Sequence, residues 1–180
     1  MDTLYEAARF GELDQLKLLL NSNIYNINQQ DENGYTALHE AVLHNNISCV
    51  EELLRRGASV NTRNMAGYTP LHDAAGEGHW WCVAVLIEYG ADINAITYLE
   101  GRTAAHEATR HGYPECLRII VDNGADLTVE DRNGLTAMDI AITYNRNCCF
   151  DVLFGTPVHH RNEAEELSVN DIDDRYVTPL

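Results

Sequence analysis

Apolar residues recur along most of the chain at the three- and four-residue spacing of an amphipathic helix. Val50, Leu53 and Leu54 form one such stripe, and equivalent stripes follow further along the chain. Threonines that predict helix N-caps precede a second, alanine-containing kind of run: Thr36, Thr69, Thr103 and Thr136. Glycines that predict helix C-termini follow the amphipathic runs: Gly57, Gly90 and Gly124. The pattern predicts short helices in pairs, joined by tight turns.

These pairs repeat with a regular period. Residues 33–41, 66–74 and 100–108 are copies of one another, and residues 133–141 are a degraded fourth copy. The turn glycines have numbers that differ by 33, 34 and 33: Gly34, Gly67, Gly101 and Gly134. A second motif closes the units at 56–61, 89–94 and 123–128. A single unit of this size cannot bury its own apolar face, so the stack of units is what folds.

The two motifs, recurring in phase over residues 2–154, resemble the ankyrin-repeat family, whose unit has about 33 residues and a Thr-Pro-Leu-His-x-Ala core. The resemblance implies an all-α ankyrin-repeat solenoid of helix-turn-helix units with β-turn or hairpin loops. It predicts a domain over 1–154 with five repeats, the terminal ones degenerate, near 2–30, 31–63, 64–96, 97–130 and 131–154. Residues 155–180 are acidic and poor in large apolar residues, which predicts a flexible C-terminal tail.

The charge balance narrows the class of partner. Among 180 residues, 12 are basic and 28 acidic, for a formal net charge of −16. This favours basic partners over nucleic acid or an anionic membrane, although acidity also serves to keep a repeat protein soluble. The first six residues lack the pattern of a secretory signal, and no apolar run is long enough to span a membrane. We therefore expect a cytoplasmic or nuclear monomer with reduced cysteines.

The histidines and most of the cysteines have structural explanations. In the family, the motif histidine hydrogen-bonds the turns of neighbouring repeats, and it corresponds here to His39, His72 and His106. Adjacent repeats stack about 10 Å apart, so these side chains cannot share one metal ion. Four cysteines occupy one position of successive second helices, which predicts buried, unpaired thiols: Cys49, Cys82, Cys116 and Cys149. Cys148 is predicted to be exposed. No catalytic constellation, metal site or cofactor site is expected, so we predict no enzyme.

The resemblance places partner binding in the concave groove that turn tips and first helices form in ankyrin domains. By register, the groove comprises Tyr35, Glu40, Leu43, His44, Tyr68, Asp73, Glu77, Arg102, Glu107, Arg110 and His111. Tyrosines follow two turn glycines, and carboxylates follow the motif histidines, with Glu6 expected to precede them in the first unit. An aromatic and anionic groove suits a basic, extended peptide. The predicted partner is a protein rather than a small molecule.

The groove is also similar to that of histone H4-tail-reading ankyrin domains, where an aromatic turn residue and acids after the motif histidine contact the tail's lysine. The matching residues are Tyr35, Glu40, Tyr68 and Asp73. At Leu43 and Gly76 the chain departs from the asparagine of those readers. Three functions stay open: a scaffold, adaptor or inhibitor; a reader of a basic peptide such as a histone tail; and a substrate adaptor in ubiquitylation. The sequence has no recognisable ligase-recruiting box, which counts against the last.

Adjacent tryptophans mark a second feature. Trp80 is predicted to occupy a core position at the start of a second helix, whereas Trp81 falls on a position that is normally polar and exposed. Trp81 is therefore a candidate for a second contact patch or a self-association surface.

Overall fold

A computed structural model describes residues 3–22 and 24–155. These residues form ten α-helices and no strand: α1 Leu4–Phe10, α2 Leu13–Asn21, α3 Ala37–Leu43, α4 Ile47–Arg55, α5 Pro70–Glu77, α6 Trp80–Glu88, α7 Ala104–His111, α8 Pro114–Asp122, α9 Ala137–Thr143 and α10 Asn147–Leu153. One helix pair lies in each predicted repeat. The all-α solenoid predicted from the sequence is confirmed, while the predicted tail lies beyond Gly155, outside the described residues.

The helices form two rows, because each packs on its partner and on its counterpart in the next repeat. The first helices (α1, α3, α5, α7, α9) carry alanines that are almost completely buried: Ala7, Ala41, Ala74, Ala108 and Ala141. Such small residues let this row pack more closely than the row of second helices, so the face formed by first helices and turns is concave. Between the rows lies a continuous core with fully buried Leu38, Leu53, Leu71, Leu86 and Leu117.

Each motif histidine ties one repeat to the next. The backbone N–H of Thr69 donates to Nδ1 of His72 (3.2 Å), so Nε2 carries the proton and donates to the carbonyl oxygen of Arg102 (3.0 Å). His39 and His106 repeat this arrangement with the carbonyl oxygens of Tyr68 and Leu135, at 3.4 and 3.2 Å. Burial lowers the pKa of His39 and His72 to about 4, which keeps both rings neutral. The predicted structural role is confirmed.

Glu6 lies one position away from the predicted one. Thr3 is the N-cap of α1, and Glu6 completes the capping box at the third helical position. The motif histidines occupy that position in α3, α5 and α7, so Glu6 corresponds to them rather than to Glu40. The expectation that Glu6 begins the row of groove carboxylates is therefore wrong, and the reason is that a carboxylate also fits the capping position.

The cysteines lie as predicted, with four buried thiols and an exposed Cys148. Burial raises the pKa of Cys82 to about 11 and that of Cys116 to about 12, so both are protonated at neutral pH. The core position predicted for Trp80 is wrong, because Trp80 is 50% exposed and Trp81 44%. Trp80 is the first residue of α6, where the neighbouring repeats cover only part of an indole ring. The two indoles pack edge to face, with centroids 5.5 Å apart.

Candidate partner-binding groove

The first helices bring three carboxylates onto the concave face. Glu40, Asp73 and Glu107 each follow a motif histidine and occupy the first turn of α3, α5 and α7. Glu40 is half-buried, whereas Asp73 is 8% and Glu107 only 2% exposed. Buried carboxylates need a cation or hydrogen-bond donors to offset lost hydration. The partners of each carboxylate therefore decide what this face can bind.

Glu107 has partners within the chain. The Tyr68 hydroxyl donates to Glu107 Oε1 at 3.2 Å, and Nη1 of Arg102 lies 3.8 Å from the same oxygen. The imidazole Nε2 of His111 lies 3.7 Å from Glu107 Oε2. Arg102 also reaches the next repeat, where its Nε lies 3.6 Å from Asp131 Oδ2. This end of the groove is compensated by charges of the chain itself.

Asp73 lacks comparable partners. Its Oδ2 atom is buried and forms no hydrogen bond. Burial raises the pKa of Asp73 well above its ordinary value, and the carboxylates of Glu77, Glu40 and Glu107 raise it further. Native proteins seldom leave a buried polar atom unpaired, so such an atom calls for a functional or structural explanation. A positive charge placed beside Asp73 would satisfy both the hydrogen-bonding and the charge requirement.

Two tyrosines lie on this part of the groove, and the charge of Asp73 acts on the phenol of Tyr35. Tyr35 and Tyr68 follow the turn glycines, and each ring packs edge-on against the motif histidine of its repeat, with centroids 5.6 Å apart. Burial, together with nearby carboxylates, raises the pKa of both phenols, so the hydroxyls stay protonated. The turns that hold the tyrosines are linked to each other; the Met65 N–H, for example, donates to the Asn33 carbonyl at 2.9 Å. The backbone that carries each phenol ring is therefore held by the neighbouring turn.

The remaining predicted groove residues lie at the C-terminal ends of the first helices. His44 accepts a hydrogen bond from Nε of Arg9 at 3.0 Å, and the Arg110 carbonyl accepts one from Nε of Arg146 at 2.8 Å. Leu43 is half-buried and Glu77 is exposed. The predicted set thus separates into an open part around Asp73 and a part around Glu107 that is occupied by internal ion pairs. Its role in binding stays a prediction.

Asp131 is a site residue that sequence reasoning missed. Its Oδ1 atom accepts the backbone N–H groups of Asn133 and Leu135, at 2.8 and 3.1 Å, which shapes the turn. Asp31 forms the same two bonds in the second repeat. The recurrence of Asp or Asn at this turn position was visible in the sequence. The second role of Asp131, as a partner of Arg102, required the packing of adjacent repeats.

Within 3–22 and 24–155, no group of three or more His, Cys, Asp and Glu side chains is placed to hold a metal ion. None of the helices in that part of the chain is long and apolar enough to cross a membrane.

The fold and the groove define a solenoid of stacked helix pairs, a class whose curved surface is used for binding. Residues 4–97 and 95–162 match the family model described as ankyrin repeats (3 copies). The chain belongs to the ankyrin-repeat family, and its repeats form a protein-interaction module.

Individual relatives share only segments with this chain. A palmitoyltransferase, akr1, of Schizosaccharomyces pombe is 46% identical over 61 residues, which are 34% of this chain and 10% of that protein. Human ankyrin repeat domain-containing protein 29 is 46% identical over 55 residues, or 31% of this chain and 18% of that protein. A mouse serine/threonine-protein kinase is 43% identical over 49 residues, or 27% and 6%. The chain thus spans less than a fifth of the length of these relatives.

Proposed function

We propose that this chain is a non-enzymatic scaffold, adaptor or inhibitor whose concave groove binds a basic, extended segment of a partner protein. The observation that carries the proposal is the Asp73 carboxyl group, which is buried, has no partner for Oδ2 and lies among other carboxylates. A lysine or arginine side chain supplies the missing donor and the missing charge together. In the free protein the Asp73 carboxyl group is buried without a partner, which is unfavourable. Binding of a cation removes this unfavourable contribution.

The rest of the groove suits a cationic ligand as well. Tyr35, on which the charge of Asp73 acts, and Tyr68 offer aromatic surface against which the methylene stem of a lysine can pack. Glu40 and Glu77 add negative charge at the rim. The net charge of −16 increases the rate at which a basic segment meets the protein. This account keeps the predicted monomer and the predicted cytoplasmic or nuclear location.

The sequence predicted a reader of histone tails as one alternative, and a histone tail is one example of such a basic, extended ligand. We propose it as the first partner to test, because an unmodified H4-tail peptide is basic and extended. Nothing in the described residues favours the alternative of a substrate adaptor in ubiquitylation. That alternative therefore stays a prediction from the sequence.

The test is a titration with the unmodified histone H4-tail peptide at low and at physiological salt. The double variant D73N/E40Q keeps the shape of the groove but removes two charges. The control E51Q/E88Q removes two charges that are more exposed, from the second helices α4 and α6. We expect salt-sensitive binding by the native chain, at least about a tenfold loss in the groove variant and less than about a twofold loss in the control. No salt-sensitive binding, or equal losses in the two variants, would contradict the proposal.

A further inference from the structure

The carboxyl group of Asp73 can be compared with that of Glu107 in the next repeat. Asp73 and Glu107 occupy equivalent positions of α5 and α7, so their surroundings can be matched repeat by repeat. The three side chains on Glu107 are Tyr68, Arg102 and His111. The residues in the same register around Asp73 are Tyr35, Tyr68 and Glu77. Glu107 thus has two neighbours that can carry positive charge, Arg102 and His111. At the corresponding positions one repeat earlier, Asp73 has the phenol of Tyr68 and the carboxylate of Glu77.

Arg102 is the cation that distinguishes the surroundings of Glu107 from those of Asp73. It follows the turn glycine of its repeat, where the two preceding repeats carry tyrosine. The turn before it is one residue longer, since the bond that closes it runs from Thr97 N–H to the Arg102 carbonyl rather than across four residues. That carbonyl also accepts the bond from His72 Nε2. With its backbone held at both sides, Arg102 directs a side chain that is only 10% exposed between two carboxylates, those of Glu107 and Asp131.

The arrangement around Arg102 shows a site on this scaffold whose charge is compensated. The compensation is by ion pairing at 3.6–3.8 Å, since the buried Nε of Arg102 itself forms no hydrogen bond. A guanidinium group lies within 4 Å of carboxylates from two successive repeats and beside a tyrosine hydroxyl that shares one of those carboxylates. The same register one repeat earlier has Tyr35 and Tyr68 at the positions of Tyr68 and Arg102, and a carboxylate whose Oδ2 has no partner. The unpaired buried oxygen is an observation separate from the accumulation of acidic residues, and it points to a missing cation.

We infer that the groove holds two equivalent cation sites, that Arg102 fills the site at Glu107 from within the chain, and that the site at Asp73 receives one lysine or arginine side chain of the partner. This inference rests on the proposed function and sharpens it. Arg102 then determines specificity without touching the ligand, because it prevents Glu107 from accepting a second cation. The partner's basic residue is confined to the second and third repeats.

The test removes the cation site at Asp73 and opens the equivalent site at Glu107. D73N should weaken binding of a peptide with a single lysine in a neutral background by at least about tenfold. Adding R102Y places at the fourth repeat the tyrosine found in the two before it and removes the arginine from Glu107, which keeps Tyr68 and His111 as neighbours. In D73N/R102Y we expect affinity to return to within about threefold of the native chain. The matched control is D73N/R132Y, which changes the net charge equally at an exposed arginine of the next turn and should not restore binding.

The outcomes separate the two proposals. If the native chain does not bind the lysine peptide, the proposed function fails. If D73N loses binding but R102Y and R132Y restore it equally, or neither restores it, the proposed function stands and the two-site inference is wrong. Circular dichroism melts establish that each variant folds. If R102Y leaves Glu107 and Asp131 too poorly compensated to fold, R102Q, which keeps donors but loses the charge, is judged by the same criterion.

Discussion

The unpaired carboxyl group of Asp73 makes the groove costly to the free protein, so its replacement by the isosteric asparagine should stabilise the fold. In D73N no charge has to be buried beside the carboxylates of Glu40, Glu77 and Glu107, all of which raise the pKa of Asp73. The cost of a buried group without a partner is about 1–3 kcal/mol and is larger for a charged group than for a neutral one, so we expect the loss of this charge to stabilise the fold by about 1–3 kcal/mol at neutral pH. For a domain of this length, about 3 °C per kcal/mol corresponds to a Tm increase of roughly 3–9 °C.

The raised pKa of Asp73 also predicts how the stability difference between D73N and the native chain changes with pH. The folded-state pKa of Asp73 lies well above the value of 3.8 taken for the unfolded chain. Stability associated with this group is therefore fully present below pH ~4 and is lost as the pH rises through the folded-state pKa. D73N lacks this loss, so its advantage over the native chain should be small near pH 4.5 and grow toward pH 7.5, at about 1.4 kcal/mol for each unit of pKa shift.

The assay is urea denaturation of the native chain and D73N at several pH values, with the free energy of unfolding taken from each transition. D122N is the control, because it removes an exposed carboxylate at the end of α8 and should stay within about 0.5 kcal/mol of the native chain at every pH. The reasoning is refuted if D73N is less stable than the native chain at pH 7.5. It is also refuted if the difference between the two does not change with pH.

Three further predictions concern the scaffold. Replacing His72 by alanine leaves two buried backbone groups unpaired and should cost about 2–5 kcal/mol in urea denaturation, against less than about 0.5 kcal/mol for the exposed His44; equal costs would contradict the structural role. Under native conditions iodoacetamide should add one label, at Cys148, by mass spectrometry, and rapid labelling of the buried thiols would count against the packing. Gly57 and Gly67 both have positive φ, but only at Gly67 would a Cβ lie 2.5 Å from backbone, so G67A should lower the Tm by more than G57A.

The sequence predicted the fold almost completely, because the determinants of a repeat are local and recur. The threonine N-cap and the motif histidine lie three residues apart, so their capping box can be inferred within one unit. The register also predicted which residues line the concave face, and their role in binding stays a prediction. A position in the repeat specifies where the backbone of Asp73 or Glu107 lies, and both were placed on one face by that rule.

The charge environment of the groove could not be predicted in the same way. It depends on how far side chains reach between repeats, as when Arg102 contacts both Glu107 and Asp131. Two carboxylates in the same register therefore differ, one compensated and one unpaired. The prediction for Trp80 was wrong for a related reason. The shorter side chains at the same position of α2 and α4, Leu13 and Ile47, pack against the core, but an indole ring there extends past the neighbours that would cover it.

The central claim is that a positive charge from a partner completes the Asp73 site, and the carboxyl group itself can report this. The side-chain carboxyl ¹³C resonance of Asp73, identified by its absence in D73N, is titrated with pH in the free protein and in the presence of saturating lysine-containing peptide. We predict a pKa well above the ordinary value in the free protein and a large decrease when the peptide is bound. A peptide that binds while the titration of Asp73 stays unchanged would contradict the account.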